Sequence, residues 1–484
     1  MDDEVCYGKD VRGRDGEIIH KRWLSRNRFF AVIKGENMFG LLEGGISSFS
    51  WGNALMITIG LAFIYLAIAK EMEPLLLIPI GFGIMLVNLP LGGMMDYELC
   101  IRADRVGSVV GVPIKEGDRI KKGDILCQLD SGDILAPAIG RIEGVVVSPG
   151  QHVEAGDMIT SAITMEQTNQ LELPTRPVGL LSRIFKFGVM WQMLPPLMFL
   201  CLGALTDFGP MIANPKTLLL GAAAQFGVYF AFFLALLTGF TLPEASSIGI
   251  IGGAEGPTTI YVTSILAPHI IGGTAVACYS YMALVPIILP PVIKLLTSKE
   301  ERAIYMKPQL RSVSKLEKIL FPLVTTIIVI LLVPSSAPLI GCFLVGNLFR
   351  ECGVTERLSH TAQTAFVDII TIFLTLAIGA SMPAVVFLQP KTLLILILGV
   401  VAFASAAAAG VILAKIMNLF LKEKINPMIG AAGVSAVPMS ARVVQIMGQK
   451  ENPQNFLLMH AMGPNVAGAI GAAIAGGVFL GILG

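Results

Sequence analysis

LPEASSIGIIGGAEGPTTIYVTS (242–264) and INPMIGAAGVSAVPMSARVVQ (425–445) decide the fold of this 484-residue chain. Both stretches are apolar enough to enter a bilayer, yet they hold more glycine and proline than an unbroken spanning helix tolerates. In hydrocarbon a freed backbone carbonyl has to be satisfied by protein, water or an ion. The two stretches therefore read as interrupted membrane segments. Glu255 lies in the first of them, and a charge at mid-membrane costs about 2.5–3.5 kcal/mol on insertion scales, so function is the default reading. Unwound carbonyls, hydroxyls and one carboxylate make a hard oxygen site suited to Na+. Thr258, Thr259, Asn426 and Ser435 offer the neutral oxygens.

The rest of the chain agrees with a membrane setting. It is 54% hydrophobic and only 14% charged, far more apolar than one soluble core of this length needs. Runs at 53–69, 74–91, 188–206, 217–240, 270–296, 319–333, 361–388, 392–417 and 455–484 approach the length that crosses a bilayer. Weaker ones at 246–266, 338–349 and 427–447 bring the expectation to about 10–12 membrane segments in an all-α polytopic protein. A net charge of +1 offers no field for nucleic acid. The seven cysteines have no ligand spacing and read as core filler.

Basic residues orient the chain. Eight Lys/Arg fall within 1–36 and seven within 294–318, so both segments belong in the cytoplasm. An even number of crossings then separates them, which favours full crossing by every segment. The implied organisation is a basic segment 1–37, first membrane segments 38–93, a polar insert 94–176, membrane blocks 179–298 and 319–484, and a basic loop 299–318 between those blocks.

The membrane blocks repeat. FLCLGALTDFGPMIANPKTLLL (199–220) aligns with FLTLAIGASMPAVVFLQPKTLLI (373–395), and the two interrupted stretches follow at nearly the same offset. Duplicated folds place their ion sites at the repeat interface, where helices break. Parallel copies follow if every segment crosses, and inverted copies follow if one segment per copy is re-entrant. Asp207, at a segment end in Thr-Asp-Phe-Gly-Pro, reads as a helix cap as readily as a transport residue. Asp368 stands open between the two, and His460 reads as a satisfied core histidine.

The insert consists of short β-branched runs with Glu-Gly-Asp, Lys-Gly-Asp and Ala-Gly-Asp turns. Its halves, VPIKEGDRIKKGDIL (112–126) and VVSPGQHVEAGDMI (146–159), echo one another. This resembles the biotinyl/lipoyl carrier fold, a flattened β-barrel sandwich. Carriers present a lysine at a hairpin tip, whereas here the tip is Asp130-Ser131-Gly132-Asp133. The insert therefore reads as a cytoplasmic docking or structural module that carries no biotin.

GGAEGPT (252–258), CYSYMALVP (278–286), NPMIGAAGVSAVPMSARVVQ (426–445) and HAMGPNVAGAIGAA (460–473) together resemble the beta subunit of the sodium ion-translocating decarboxylases. The resemblance covers 38–92 and 179–484. It implies a multi-pass subunit of the cytoplasmic membrane that decarboxylates carboxybiotin and exports Na+. It also implies partners: a carboxyltransferase, a biotin carrier that holds the biotin, a small gamma or delta membrane subunit, and further copies of the chain in a trimer. Glu255, Asn426 and Asn465 are the implied Na+ residues, with Tyr281 and Ser435 at a second ion or proton-transfer site. Arg442 is implied to hold the carboxylate of carboxybiotin. The family's motif carries Asp where this chain has Glu255, one methylene longer, which bears on ion stoichiometry and on the choice between Na+ and H+. Repeats and broken helices alone would also suit a secondary transporter.

Overall fold

The computed structural model describes residues 49–89, 97–115, 118–137, 140–145, 147–154, 158–164, 179–307, 311–436 and 438–484. The basic segment 1–37, the Ala-Gly-Asp turn at 155–157 and the end of the insert lie outside the described residues. The chain divides into two compact units, one holding 1–55 and 86–182, the other 56–85 and 183–484.

The first unit contains eight strands: β1 (Tyr97–Arg102), β2 (Gly107–Gly111), β3 (Arg119–Ile120), β4 (Ile125–Leu129), β5 (Gly132–Leu135), β6 (Gly140–Val145), β7 (His152–Val153) and β8 (Met158–Thr164). They form two four-stranded antiparallel sheets, ordered β1-β8-β6-β3 and β5-β4-β2-β7. Each sheet draws strands from both halves of the sequence, so neither half closes a core alone. Val109, Leu126, Cys127, Ile142, Val153 and Ile159 fill the space inside. The glycine-aspartate turns work through their carboxylates. Asp118 accepts from the Lys115 N–H at 2.8 Å, and Asp124 from the Lys121 N–H at 2.7 Å. Leu129 pairs with Gly132 across the β4–β5 tip, Gly132 takes φ +129°, and Asp130 is bound to the Ser108 N–H at 2.9 Å. That tip carries an acid already committed to the backbone, and no lysine.

The helical remainder of the chain is built from α1 (Trp51–Ala69), α2 (Pro74–Asn88), α3 (Leu194–Leu205), α4 (Thr217–Ala224), α5 (Phe226–Leu237), α6 (Leu242–Gly249), α7 (Gly256–Leu266), α8 (Ile271–Leu296), α9 (Lys315–Leu332), α10 (Ala337–Glu351), α11 (Val367–Ala380), α12 (Pro390–Phe420), α13 (Met439–Glu451) and α14 (Leu458–Leu483). Six stretches among the described residues are helical, long and apolar enough to cross a membrane, or seven if Leu180–Met190 and α3, bent by 67°, count as one span. The expected 10–12 exceeds this because other apolar runs appear as shorter helices, such as α2 and α10, or as broken pairs. Close crossings knit the helices. Gly203 on α3 faces the Phe343 carbonyl on α10 and Gly346 faces that of Leu200, so a Cβ at either would collide with backbone.

The two interrupted stretches do not cross from one end to the other. Helix α8 has 26 residues, about 39 Å at 1.5 Å per residue, and its ends mark the two faces. At its start His269 Nε2 lies 2.9 Å from Glu244 Oε1, so the stretch entered by α6 returns through α7 to the end where it began. Beyond its other end, Asn426 donates to the carbonyls of Arg302 and Ile304 at 2.7 and 3.0 Å, and Arg302 Nε pairs with Glu451 at 2.8 Å. The stretch 426–451 therefore starts and finishes at that second end. Full crossing, the expectation from the charge bias, is corrected to two re-entrant hairpins. The bias counts charges in loops and is blind to a hairpin of two short arms, whose summed length matches one full crossing. Lys294, Lys299, Arg302, Lys307, Lys415, Lys422, Lys424 and Lys450 gather at the Arg302 end, which the positive-inside bias makes cytoplasmic.

Candidate functional site at the meeting of two hairpins

The hairpin tips meet. In the first, α6 starts on a capping box in which Glu244 accepts from the Thr241 N–H at 2.9 Å. It tightens to a 3₁₀ turn at Ile250–Gly253 and breaks at Ala254, which holds φ 52° and ψ 39°. An alanine in this left-handed region costs about 1–2 kcal/mol, retained only where the surroundings over-determine it. Pro257, in the first turn of α7, has no N–H to waste and restarts the helix beyond Glu255. In the second hairpin a four-residue helix, Met428–Ala431, gives way to an irregular backbone before α13 begins at Met439.

Two contacts join the irregular segments. The Ala436 N–H donates to the Ala254 carbonyl at 3.1 Å, and the Ser435 hydroxyl donates to Glu255 Oε2 at 2.5 Å. Glu255 is 3% exposed and Ser435 fully buried. The Ser435 contact is the only side-chain hydrogen bond of the Glu255 carboxylate among the described residues. A buried carboxylate with one neutral partner leaves lone pairs that a cation would satisfy.

Asn465, on α14, gathers the backbone beside this contact. Its amide nitrogen lies 3.0, 3.2 and 2.5 Å from the carbonyls of Ala432, Val434 and Ser435 and 2.6 Å from the Ser440 hydroxyl. The approach requires glycine, because a Cβ at Gly468 would overlap the Gly433 carbonyl. Around the contact several buried oxygens have no hydrogen-bond partner among the described residues: Asn465 Oδ1, Thr258 Oγ1 and Tyr279 Oη. Buried polar groups left unpaired cost about 1–3 kcal/mol each, so their accumulation on the segments that flank Glu255 suits a desolvated cation.

The residues expected at the site separate into groups. Glu255, Ser435 and Asn465 come together. Asn426 instead stands at the base of its hairpin, its amide spent on the Arg302–Ile304 segment and its oxygen on the Met428 N–H at 3.1 Å. The Tyr281 hydroxyl donates to the Leu396 carbonyl and its ring packs on Gly399. Tyr279, two residues earlier, faces the break: a Cβ at Gly256 would stand 2.8 Å from its hydroxyl oxygen. Arg442 lies seven residues beyond Ser435 and is exposed, and the charge it acts on is Glu73, whose carboxyl burial raises and Arg442 lowers. Thr259 is bound to the Glu255 carbonyl at 2.9 Å.

Asp207 accepts from the Gly209 N–H at 2.8 Å, closing a turn just ahead of the short helix Gly209–Ala213, and pairs with Lys318 at 3.4 Å. Asp368 is exposed. Sequence reasoning missed Gln225, which joins α4 to α5 and donates to the Gly468 carbonyl at 3.1 Å behind Asn465. A polar amide inside the run 217–240 was the available signal.

Known proteins match this chain over most of its length. A family described as Na+-transporting oxaloacetate decarboxylase beta subunit matches residues 52–483. The methylmalonyl-CoA decarboxylase subunit beta of Propionigenium modestum is 50% identical over 441 residues, covering 91% of this chain and 97% of that one. Oxaloacetate decarboxylase beta chain 2 of Salmonella typhi is 49% identical over 452 residues, covering 92% and 98%. The methylmalonyl-CoA decarboxylase subunit beta of Veillonella parvula is 45% identical, covering 91% and 96%.

Proposed function

The chain belongs to the Na+-transporting decarboxylase beta-subunit family, and we propose that its ion is held where the two hairpin tips meet. As such a subunit it couples decarboxylation to Na+ transport across a membrane, within a multisubunit decarboxylase. In the finer reading a carboxyltransferase and a biotin carrier deliver carboxybiotin to this chain, a small gamma or delta subunit completes the complex, and the chain forms a trimer. The two membrane blocks are read as inverted copies, each contributing one hairpin, together supplying 10–12 segments of mixed length. The β unit is read as a carrier-like module whose tip cannot be biotinylated.

The observation that carries the ion site is the Ser435–Glu255 bond across the tips. Without a cation, the serine hydrogen satisfies the carboxylate. A Na+ arriving there takes the carboxylate charge, and the serine hydroxyl turns to offer a lone pair in place of its hydrogen. Asn465 Oδ1, Thr258 Oγ1 and Tyr279 Oη supply neutral oxygens, and hard oxygen ligands are what an alkali cation requires. Because Ser435 belongs to the hairpin from the basic face and Glu255 to the one from the opposite face, ion binding changes how the tips hold each other. That makes the contact a place where an event on one face biases access from the other. Arg442, on the arm following Ser435 and without a hydrogen-bonded partner among the described residues, is suited to a carboxylate substrate. Asn426 serves by fixing the hairpin base.

Ser435→Ala tests this. The variant loses an oxygen ligand of the cation-bound state as well as the hydrogen bond of the cation-free state; the ligand loss is the larger, so the Na+ concentration giving half-maximal decarboxylation should rise, roughly tenfold, in the purified complex. An unchanged sodium dependence would remove Ser435 from the site.

A further inference from the structure

The apolar run 217–240 contains one amide side chain, and the helix breaks at it. The Gln225 N–H bonds the Ala222 carbonyl at 3.1 Å, three residues back instead of four, and the side chain repairs the turn, its Nε2 lying 3.3 Å from the Gly221 carbonyl. The same nitrogen reaches across to the Gly468 carbonyl on α14 at 3.1 Å. Carbonyls only accept, so both amide hydrogens are spent on these two, and turning the amide over would set oxygen against oxygen. The orientation of Oε1 is therefore fixed. That oxygen is buried with no hydrogen-bond partner among the described residues, in a side chain whose residue is only 8% exposed. Repairing a helix and holding α14 need the donors alone, and leaving the acceptor unpaired costs about 1–3 kcal/mol.

The break stands where both hairpins arrive. A Cβ at Gly433, two residues before Ser435, would stand 2.7 Å from the Leu220 carbonyl oxygen and 3.1 Å from Ala224 Cβ. A Cβ at Gly252, three residues before Glu255, would stand 2.7 Å from the Gly227 carbonyl carbon and 2.9 Å from the Val228 nitrogen. Residues on either side of Gln225 thus touch one tip each. Helix α14 closes the junction. Gly471 leaves room for the Gln225 amide, since a Cβ there would lie 2.8 Å from Nε2, and the adjacent Ala472 packs on Gly253 of the first tip. Gly468, whose carbonyl holds Gln225, is also the glycine that admits the Gly433 carbonyl, and it stands one turn from Asn465 on the same helix.

Gln225 belongs to the same packed junction as Glu255, Ser435 and Asn465. We propose that its Oε1 is a further ligand of the transported cation, a neutral oxygen supplied from the break between α4 and α5. Amide oxygens are hard donors that suit an alkali ion, and the two N–H bonds hold this one in place before the ion arrives. Closure to solvent fits the role, because an ion stripped of its water needs oxygens around it and no opening to bulk. The inference rests on the reading that the ion is held where the hairpin tips meet.

The test heats the purified complex at a series of NaCl concentrations, with choline chloride keeping the ionic strength constant, and follows by blotting how much of this chain stays in solution. A bound ion raises the melting temperature with its own concentration dependence, so binding is read without turnover. Gln225→Leu removes the oxygen and both donors, whereas Gln225→Glu keeps an oxygen ligand and loses the same donors. Both should melt below wild type in the absence of sodium. The sodium concentration giving half of the thermal rise should increase about tenfold in Gln225→Leu and return to within about threefold of wild type, or below it, in Gln225→Glu. An unchanged midpoint in Gln225→Leu, or equal losses in the two variants, would make Gln225 a tether of α14 alone and overturn the proposal. Should the leucine variant not assemble, Gln225→Met, unbranched and more pliant, carries the same comparison. Glu255→Gln in the same assay separates the two readings. A wild-type sodium midpoint there would sink the hairpin-tip site as a whole, whereas dependence on Glu255 without dependence on Gln225 strikes only this ligand.

Discussion

Glu255 and Ser435, 2.5 Å apart, come from positions 180 residues distant in sequence. Glu255 was legible alone, since a carboxylate in an apolar run needs a reason, and Ser435 followed from its place in the matching stretch. The choice between Tyr279 and Tyr281 was not legible. Both lie in one motif on one helix, and residues two apart point to different faces, so only the packed neighbours separate them. Tyr281 has its hydroxyl on the Leu396 carbonyl, while the Tyr279 hydroxyl beside the break has no partner among the described residues. Opposite outcomes follow on substitution. Tyr279→Phe removes an unsatisfied buried group, so the melting temperature should hold or rise while the sodium requirement for decarboxylation increases. Tyr281→Phe strands a carbonyl and should cost about 0.5–1.5 kcal/mol of stability with little change in sodium dependence. Thermal unfolding and sodium titration of the two variants decide, and the opposite pattern would return the role to Tyr281.

At the scale of elements, long apolar helices such as α8, α12 and α14 were readable from composition, and the Pro-Lys-Thr-Leu-Leu signal correctly marks the approach to α4 and α12. The hairpins were readable as breaks but not as reversals, because glycine and proline say where a helix stops and nothing about where the chain goes next. Packing against neighbours settles that. Gly468 is where α14 admits the second hairpin, with the Gly433 carbonyl in the space a side chain would need. Gly468→Val should force the two apart, lowering stability by about 1–3 kcal/mol and abolishing transport, whereas Gly341→Ala, with open space around it, should stay within about 0.5 kcal/mol of wild type. Thermal unfolding of both in detergent checks this, and tolerance of valine at 468 would mean the tips do not need that approach.

Over the whole molecule, the membrane class and the decarboxylase motifs were legible in the sequence, while the topology was not, because a charge bias sums loops and cannot see two arms that turn back. Single cysteines at Thr241 and His269 bracket the first hairpin, and at Lys424 and Lys450 the second. With an impermeant thiol reagent, the first pair should label together from outside intact cells and the second pair together only in inverted vesicles. Labelling of either pair from opposite sides would restore full crossing. The central claim is that the buried carboxylate at the meeting of the hairpins carries the transported ion. It is tested most directly by Glu255→Gln in the complete complex reconstituted into proteoliposomes, following radioactive Na+ uptake and decarboxylation in the same sample. Glutamine keeps the shape and removes the charge, so sodium uptake and sodium-stimulated decarboxylation should be lost together. Decarboxylation-driven Na+ uptake at the wild-type rate would contradict the account.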